Sequence, residues 1–456
     1  MPLSRVPSND LYQPDLRRLK AIAAAARTLS DEEVAELLIP NTFPQLSLQD
    51  VANLVYTVVQ SPQGTGAQLI LEKAEAIRRA LFGDLVVPMA PVEIANTCAS
   101  DCVFCGWRIS NRDMKRLRLP VDLLMLQVEY LLDLGIHYIE FVSGDDIVAV
   151  RNQLPILLRE TKQLFAARGI EGKTCFCTLA LTENQYRGLL DAGADAMIVW
   201  QETYDPEVFR SHVFDGPKAY GIREDWSWDS HGDGWLFRYQ SQERALRAGL
   251  EVALGTMLGL NPNLVFEFLA TVDHARYLVD HYPISADNPL IIGMPIWNPI
   301  PTPQADRRRN DLPNIELLFT PLAALYLLSL PYPSTWVFPN CRVPLETQVE
   351  AARVAGAFTS TEVKLGPGGY LPSVIQEMER KGRDTSSLRK RLTELLRENG
   401  DSLADLARAL DEREQFVHHY HAHKAYAEAL AQAGLRLIRG VRLPSSEENA
   451  RVVATR

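Results

Sequence analysis

Cys98, Cys102 and Cys105 lie within "NTCASDCVFCGWR", three thiols separated by three and then two residues. Six cysteines in 456 residues are too few for a secreted disulfide scaffold, so clustered thiols point to metal or redox chemistry. A structural zinc site takes four protein ligands, and no fourth candidate stands nearby in the sequence. Three thiolates suit a cubane iron-sulfur cluster that keeps one iron free for a small molecule, whereas four-cysteine clusters serve mainly electron transfer. A zinc site or a set of reduced, buried thiols is the alternative reading.

Such thiols act only if the fold holds them at the mouth of a site. From Pro91 onward, short runs rich in Val, Ile, Phe and Thr alternate with amphipathic segments, the pattern of repeated βα units. Eight runs are expected as strands: 92–96, 138–144, 174–180, 196–204, 251–260, 290–298, 335–341 and 357–363. That count predicts a complete (β/α)8 TIM-type barrel, with its chemistry at the C-terminal strand ends. The three cysteines follow the first strand. Residues 1–85 read as an N-terminal helical lead-in, 86–372 as the barrel and 373–456 as a C-terminal helical extension.

Several other residue groups fall on this frame. Two long loops, "HVFDGPKAYGIREDWSWDSHGDGW" and "PIPTPQADRRRNDLPN", leave strand ends four and six, where loops shape substrate sites or lids. In the first, Trp226, Trp228 and Trp235 either wall a pocket or pack as a surface loop. At most one of Cys175 and Cys177, on strand three, is expected to face the barrel interior, and both are assigned to core packing. His418, His419, His421 and His423 are placed in a helix; His419 and His423 are four apart, but a solvated face is favoured over a shared metal.

Composition narrows the partners. Apolar residues make up 46% of the chain, enough for a large core, and the net charge of −10 (47 Lys and Arg against 57 Asp and Glu) argues against nucleic acid as a partner. No run approaches 18 apolar residues and the start lacks an apolar signal region, so no membrane span or secretory leader is expected and the reading is cytoplasmic.

The C-x3-C-x2-C run, with Phe104 before the last cysteine, resembles the signature of the radical S-adenosylmethionine superfamily. In that superfamily the amino and carboxylate groups of the methionine moiety chelate the fourth iron of a [4Fe-4S] cluster, and one-electron reduction releases a 5′-deoxyadenosyl radical. The resemblance implies that Cys98, Cys102 and Cys105 bind the cluster. It gives contact with the methionine amino group to Ser143, Gly144 and Asp145 of "FVSGDD". Leu258 of "GTMLGL" and Phe104 would lie along the adenine.

Over 81–372 the chain is similar to a narrower subgroup, the aromatic amino-acid lyases: 2-iminoacetate synthase, the tyrosine lyase of hydrogenase maturation, and the tryptophan lyase making 3-methyl-2-indolic acid. "NTCASDCVFCGWRISNR", "WQETYDPEVF" and "TSTEVKLGPGGY" carry this likeness. It implies that Glu202 and Arg238 help hold S-adenosylmethionine, that Arg342 of "PNCRVPLE" grips a substrate carboxylate, and that Thr359 contributes a hydroxyl. An arginine suits a carboxylate because its planar fork reaches both oxygens. Five residues before the first cysteine these lyases carry a tyrosine that reaches the substrate; here Glu93 stands there, able to hold an ammonium group or act as a base. That exchange argues against cleavage of an aromatic amino acid. The absence of any cysteine after Cys341 argues against the second cluster of the hydrogenase-maturation enzyme.

The resulting expectation is a radical enzyme acting on a small substrate, an amino acid, by carbon–carbon cleavage or rearrangement in a biosynthetic pathway, with an electron donor such as flavodoxin or ferredoxin. One alternative is dehydrogenation, deamination or hydroxylation of a sugar, nucleoside or tetrapyrrole. Another is a non-catalytic metal-binding barrel that assists a partner.

Overall fold

The computed structural model describes residues 11–39, 43–302, 315–398 and 413–444. Most of the loop after strand six, the segment 399–412 and both chain ends lie outside the described residues. Among the described residues no helix is long and apolar enough to cross a membrane.

Nine strands share one sheet: β1 (Leu85–Ala95), β2 (Tyr138–Ser143), β3 (Lys173–Cys177), β4 (Ala196–Ile198), β5 (Glu251–Leu254), β6 (Leu290–Gly293), β7 (Thr335–Phe338), β8 (Phe358–Ser360) and β9 (Arg436–Leu437). The order is β7-β6-β5-β4-β3-β2-β1-β8, with parallel pairing and helices in the crossovers, while β9 adds to the start of β1. Between β7 and β8 there is no ladder. Their edges meet at a single bridge, Val337 to Gly356, where the Ala357 N–H donates to the Val337 carbonyl at 3.2 Å. Pro339 follows β7 directly and has no N–H to extend the pairing. The described architecture is therefore a curled, eight-strand parallel α/β sheet, more loosely joined at its seam than the closed barrel expected from the strand count.

Seven strands start within one residue of their expected positions, but all of them end sooner, because the chain leaves the ladder to form the loops of the site. β1 starts seven residues earlier than expected, through Pro88 and Pro91. Val87 and Met89 bond toward β8, so alternation turns Pro91 toward β8 as well, past the last paired residue Ser360. Pro88 faces the β2 side before that ladder begins at Met89 and Tyr138. Neither missing N–H breaks a hydrogen bond.

Four helices, Leu16–Ala24, Asp31–Leu38, Leu48–Gln60 and Thr65–Phe82, pack on the barrel helices Leu264–His281 and Ile315–Ser329. Ser30 with Glu33 and Ser47 with Asp50 form capping boxes that start two of them. Fully buried Arg78 ties this lead-in to the barrel floor, donating to the carbonyls of Gly83 (2.5 Å), Leu85 (2.6 Å) and Gly356 (3.2 Å).

The histidine-rich segment is not helical as expected. Residues 413–422 run extended across the barrel mouth, and a helix begins only at His423. Barrel loops take its backbone groups: Val417 N–H donates to Pro299 O (2.8 Å), His419 N–H to Cys341 O (2.9 Å), and His421 O accepts from Glu362 N–H (3.1 Å). Tertiary hydrogen bonds replace the helical ones, and the solvated helix face does not exist.

Candidate active site

The cysteine loop leaves β1 and folds back over the barrel mouth. Arg116 holds it from outside, donating to the carbonyls of Asn96 (2.7 Å), Trp107 (2.6 Å), Arg108 (2.7 Å) and Asn111 (3.2 Å). Within it Ser110 and Arg108 bond Asp101, and Asn111 donates to Gly106 O at 2.8 Å. Cys98 is half-buried, Cys102 and Cys105 are buried, and all three are free thiols. Polar hydrogens point at the sulfurs: the N–H groups of Ser100 and Asp145 at Cys98 Sγ, both 3.4 Å, and Gln415 Nε2 at Cys105 Sγ, 3.2 Å. Burial pushes all three thiols up, so deprotonation needs the compensation that bound metal charge supplies.

Three thiols with N–H donors aimed at sulfur fit an iron-sulfur cluster, whose potential such bonds tune. Among the described residues no group of three or more His, Cys, Asp or Glu is placed to hold a single metal ion. A cubane offers each thiolate its own iron, so it accepts sulfurs spread around a larger body; a mononuclear zinc does not.

The turn after β2 is pressed against this loop. A Cβ on Gly144 would sit 2.4 Å from Thr97 O and 2.9 Å from Cys98 Cβ, so only glycine permits the approach. Asp145 accepts from Ser100 Oγ at 2.5 Å and so braces the loop, while Ser143 Oγ donates to Gly144 O at 2.8 Å within the turn itself. Beside it Asp146 binds Arg118 and Thr97.

Glu202, four residues beyond the end of β4 at Ile198, adopts a left-handed backbone (φ 69) that is costly for a non-glycine residue. Its carboxylate meets Lys218 Nζ at 2.6 Å and Arg238 Nη2 at 3.4 Å, while Oε2 is buried without a partner. Burial works to raise its pKa, but the two cations prevail and hold it below the ordinary value. Lys218 Nζ also lies 5.2 Å from the centre of the Phe104 ring. Leu258 is buried on the β5 side, bridged to Ile296. The structure thus gathers Phe104, Glu202 and Arg238 around a cation, Lys218, that sequence reading passed over. Its signal was "GPK" in the long loop after strand four.

Beneath the loop lies a cavity inside the curled sheet, ≈ 600 Å³ when the part open to solvent is included. Glu93 from β1, Glu140 from β2 and Arg342 from the loop after β7 are the charged residues that line it among the described residues. Glu93 accepts from the Gly366 N–H; burial raises it well above the ordinary carboxyl range against that bond, and the charges of Glu414 and Glu140 add to the rise. Burial alone raises Glu140 to about 8. Arg342 is lowered to about 10 by burial; it donates to Ile296 O at 2.8 Å and stacks on Phe416, 3.4 Å from the ring centre.

Expected residues divide clearly. Glu93 and Arg342 reach the cavity; Thr359 does not. Its hydroxyl faces outward, bonded to Pro339 O (3.0 Å), Tyr426 OH (2.8 Å) and Gln348 Nε2 (3.1 Å), and its neighbour Ser360 lines the cavity instead. Strand alternation decides this, since Ser360 pairs with inward-facing Met89. The same rule corrects the reading of β3: Cys175 and Cys177 are two apart and share one face, and Cys177 lines the cavity. Trp226, Trp228 and Trp235 do not line it. Trp228 is exposed and Trp235 is buried against Thr203 O, so this is the surface-loop reading, while Trp200 supplies the cavity's indole. Glu140, Gln415 and Phe416 were missed. Glu140 was legible only as a carboxylate within the apolar run "YIEFV", Gln415 lies 310 residues after the Cys105 it approaches, and Phe416 packs on Arg342 from a segment read as helical.

No protein-family model matches the chain. It is 27% identical over 245 residues to 2-iminoacetate synthase of Escherichia coli, covering 52% of this chain and 57% of that protein. The chain resembles 2-iminoacetate synthase. It is also 26% identical over 248 residues to the [FeFe] hydrogenase maturase subunit HydE of Thermotoga maritima, covering 54% of this chain and 61% of that one. The matches thus span just over half the length of these curated relatives. The fold is similar to that of the FeFe-hydrogenase maturase HydG from Carboxydothermus hydrogenoformans, with a TM-score of 0.63 and 20% identity over 91% of this chain and 93% of the other. Methylornithine synthase, at a TM-score of 0.52 and 15% identity, covers 86% of this chain and 99% of its own.

Proposed function

We propose that this protein is a radical S-adenosylmethionine enzyme acting on a small amino acid, a carbon–carbon lyase or rearranging enzyme of a biosynthetic pathway. The carrying observation is the set of three free thiols, each buried or half-buried at a barrel mouth, directly above a cavity lined by Glu93 and Arg342. Cys98, Cys102 and Cys105 would hold a [4Fe-4S] cluster, with S-adenosylmethionine completing it. When bound and reduced, that pair supplies a 5′-deoxyadenosyl radical able to abstract hydrogen from a substrate.

The chain's own residues do the rest. Glu202, Lys218 and Arg238 would present one carboxylate and two cations, a net +1, beside the cysteines for the ammonium and carboxylate of a methionine moiety, with Phe104 and Leu258 as apolar walls. Ser143, Gly144 and Asp145 fix the loop's height above the cavity. Arg342 anchors a substrate carboxylate, and burial strengthens that attraction. Glu93 accepts an ammonium or takes a proton near the reacting carbon. The cavity walls hold the substrate in one orientation toward the radical and limit side reactions.

Three further expectations go with this reading: the seam between β7 and β8 completes a (β/α)8 barrel, the domains divide near 85 and 372, and the protein works in the cytoplasm with a flavodoxin- or ferredoxin-type donor. Anaerobic reconstitution with iron, sulfide, reductant and S-adenosylmethionine tests the core of it. Iron and sulfide should approach four each per chain, the count of a [4Fe-4S] cluster, and 5′-deoxyadenosine should form. A colourless protein that retains zinc and leaves S-adenosylmethionine intact would rule the reading out.

A further inference from the structure

Glu140 has no described hydrogen bond or ion pair, is only 8% exposed, and lines the cavity. A buried carboxyl without a partner is costly, and its pKa is raised by burial alone. Glu93, one step higher on the neighbouring strand, uses one oxygen on the Gly366 N–H and is likewise held above its ordinary value. The register sets their heights: Glu140 pairs with Pro91 and Glu93 with Val142, so Glu140 lies two residues, about 7 Å, deeper along the strands. Arg342 enters from beyond β7, separated from β2 by β8 and β1, so it stands on the opposing wall.

Burial by itself keeps both acids protonated, and a cation placed beside each would draw the proton off; with both ionised, the three charged lining residues sum to −1. An amino acid with a neutral side chain offers one carboxylate for Arg342 and one ammonium for a single glutamate. It leaves the second carboxyl unmatched. A diamino acid offers one carboxylate and two ammonium groups, a net +1, and leaves no group unpaired. Among the described residues nearby charges do not supply the missing cation: Glu414, which acts on Glu93, has His418 at 3.4 Å, and Glu202, which acts on Arg342, is taken by Lys218 and Arg238.

We propose that the cavity is built for an amino acid with a basic side chain, its carboxylate on Arg342 and its two ammonium groups on Glu93 and Glu140, which makes Glu140 a specificity-determining residue. Turnover of the bound amino acid rests on the radical-enzyme reading; its binding does not.

The test uses reconstituted holoenzyme with S-adenosylmethionine and four probes: L-lysine, L-ornithine, L-tyrosine and L-tryptophan. Calorimetry reads binding and mass spectrometry reads 5′-deoxyadenosine. A diamino acid should bind, Glu140→Gln should weaken it at least ~30-fold by removing the partner of a buried charge, and Glu140→Asp should restore part of the loss. Unchanged cluster absorbance and thermal midpoint in Glu140→Gln would show that the fold is intact. Failure of both diamino acids to bind, binding indifferent to Glu140→Gln, or turnover of tyrosine or tryptophan alone overturns the inference. In the last case the radical-enzyme reading stands. Glu140-dependent binding without S-adenosylmethionine cleavage leaves the inference standing and removes that reading.

Discussion

The cysteine loop and the cavity beneath it are built in opposite ways. Almost every polar group of the loop is used: Arg116 takes four carbonyls, Asp145 takes Ser100, and two N–H groups reach Cys98 Sγ. The cavity leaves its two carboxyls open, with Glu140 unpartnered among the described residues and Glu93 half-satisfied. A braced loop fixes a group that must not move, while open carboxyls store desolvation cost until a ligand arrives. The contrast separates the generic part of the chemistry from the part that selects a substrate.

The largest break should come at the loop. Cys98→Ala should reduce bound iron and sulfide after reconstitution to background and abolish 5′-deoxyadenosine formation, read by metal analysis and chromatography. Lys218→Met comes next: it strands the Glu202 carboxylate beside Arg238 alone, and breaking so buried a pair should cost roughly 3–5 kcal/mol in chemical denaturation. If Lys218 instead serves only the loop after β4, the loss will stay below about 1 kcal/mol, the range of surface pairs.

On the cavity side, Arg342→Lys should lower kcat/KM about 100-fold with cluster content unchanged, since an ammonium cannot replace the planar fork. Thr359→Val sharpens the boundary between wall and core. It should cost ~1–3 kcal/mol in stability by stranding Gln348 and Tyr426, yet leave substrate KM alone. A raised KM would show that Thr359 reaches substrate after all.

The most gradual effect is a pH slope. Glu140 sits at about 8 in the folded state against an ordinary value of 4.5, so between those values the folded protein keeps a proton that the unfolded chain releases. Its contribution to stability is present below 4.5 and is lost as pH rises toward 8. Glu140→Gln should flatten the fall in unfolding free energy over that window by up to ~1.4 kcal/mol per pH unit.

Strand starts were legible because parallel strands buried on both faces read as compact apolar runs. Strand ends were not, since nothing in "IVWQETY" marks where the ladder stops and the left-handed Glu202 begins. The histidine segment misled because its period fits a helix, and only barrel loops claiming its backbone made it extended. Thr359 misled for a simpler reason: a one-residue offset on a strand exchanges the inside for the outside.

By itself the sequence determined the cysteine loop, because three thiols at that spacing and their local turn lie within eight residues and need no distant partner to be recognised. Glu93 and Arg342 became residues of interest through the resemblance to the aromatic amino-acid lyases. Only the tertiary structure decided what the site could hold. Glu140, Lys218 and Gln415 are ordinary residues along the chain, and they become a charge pattern when parallel register and a crossing C-terminal segment bring them together. Local chemistry survives in spacing; burial and opposition are properties of the fold.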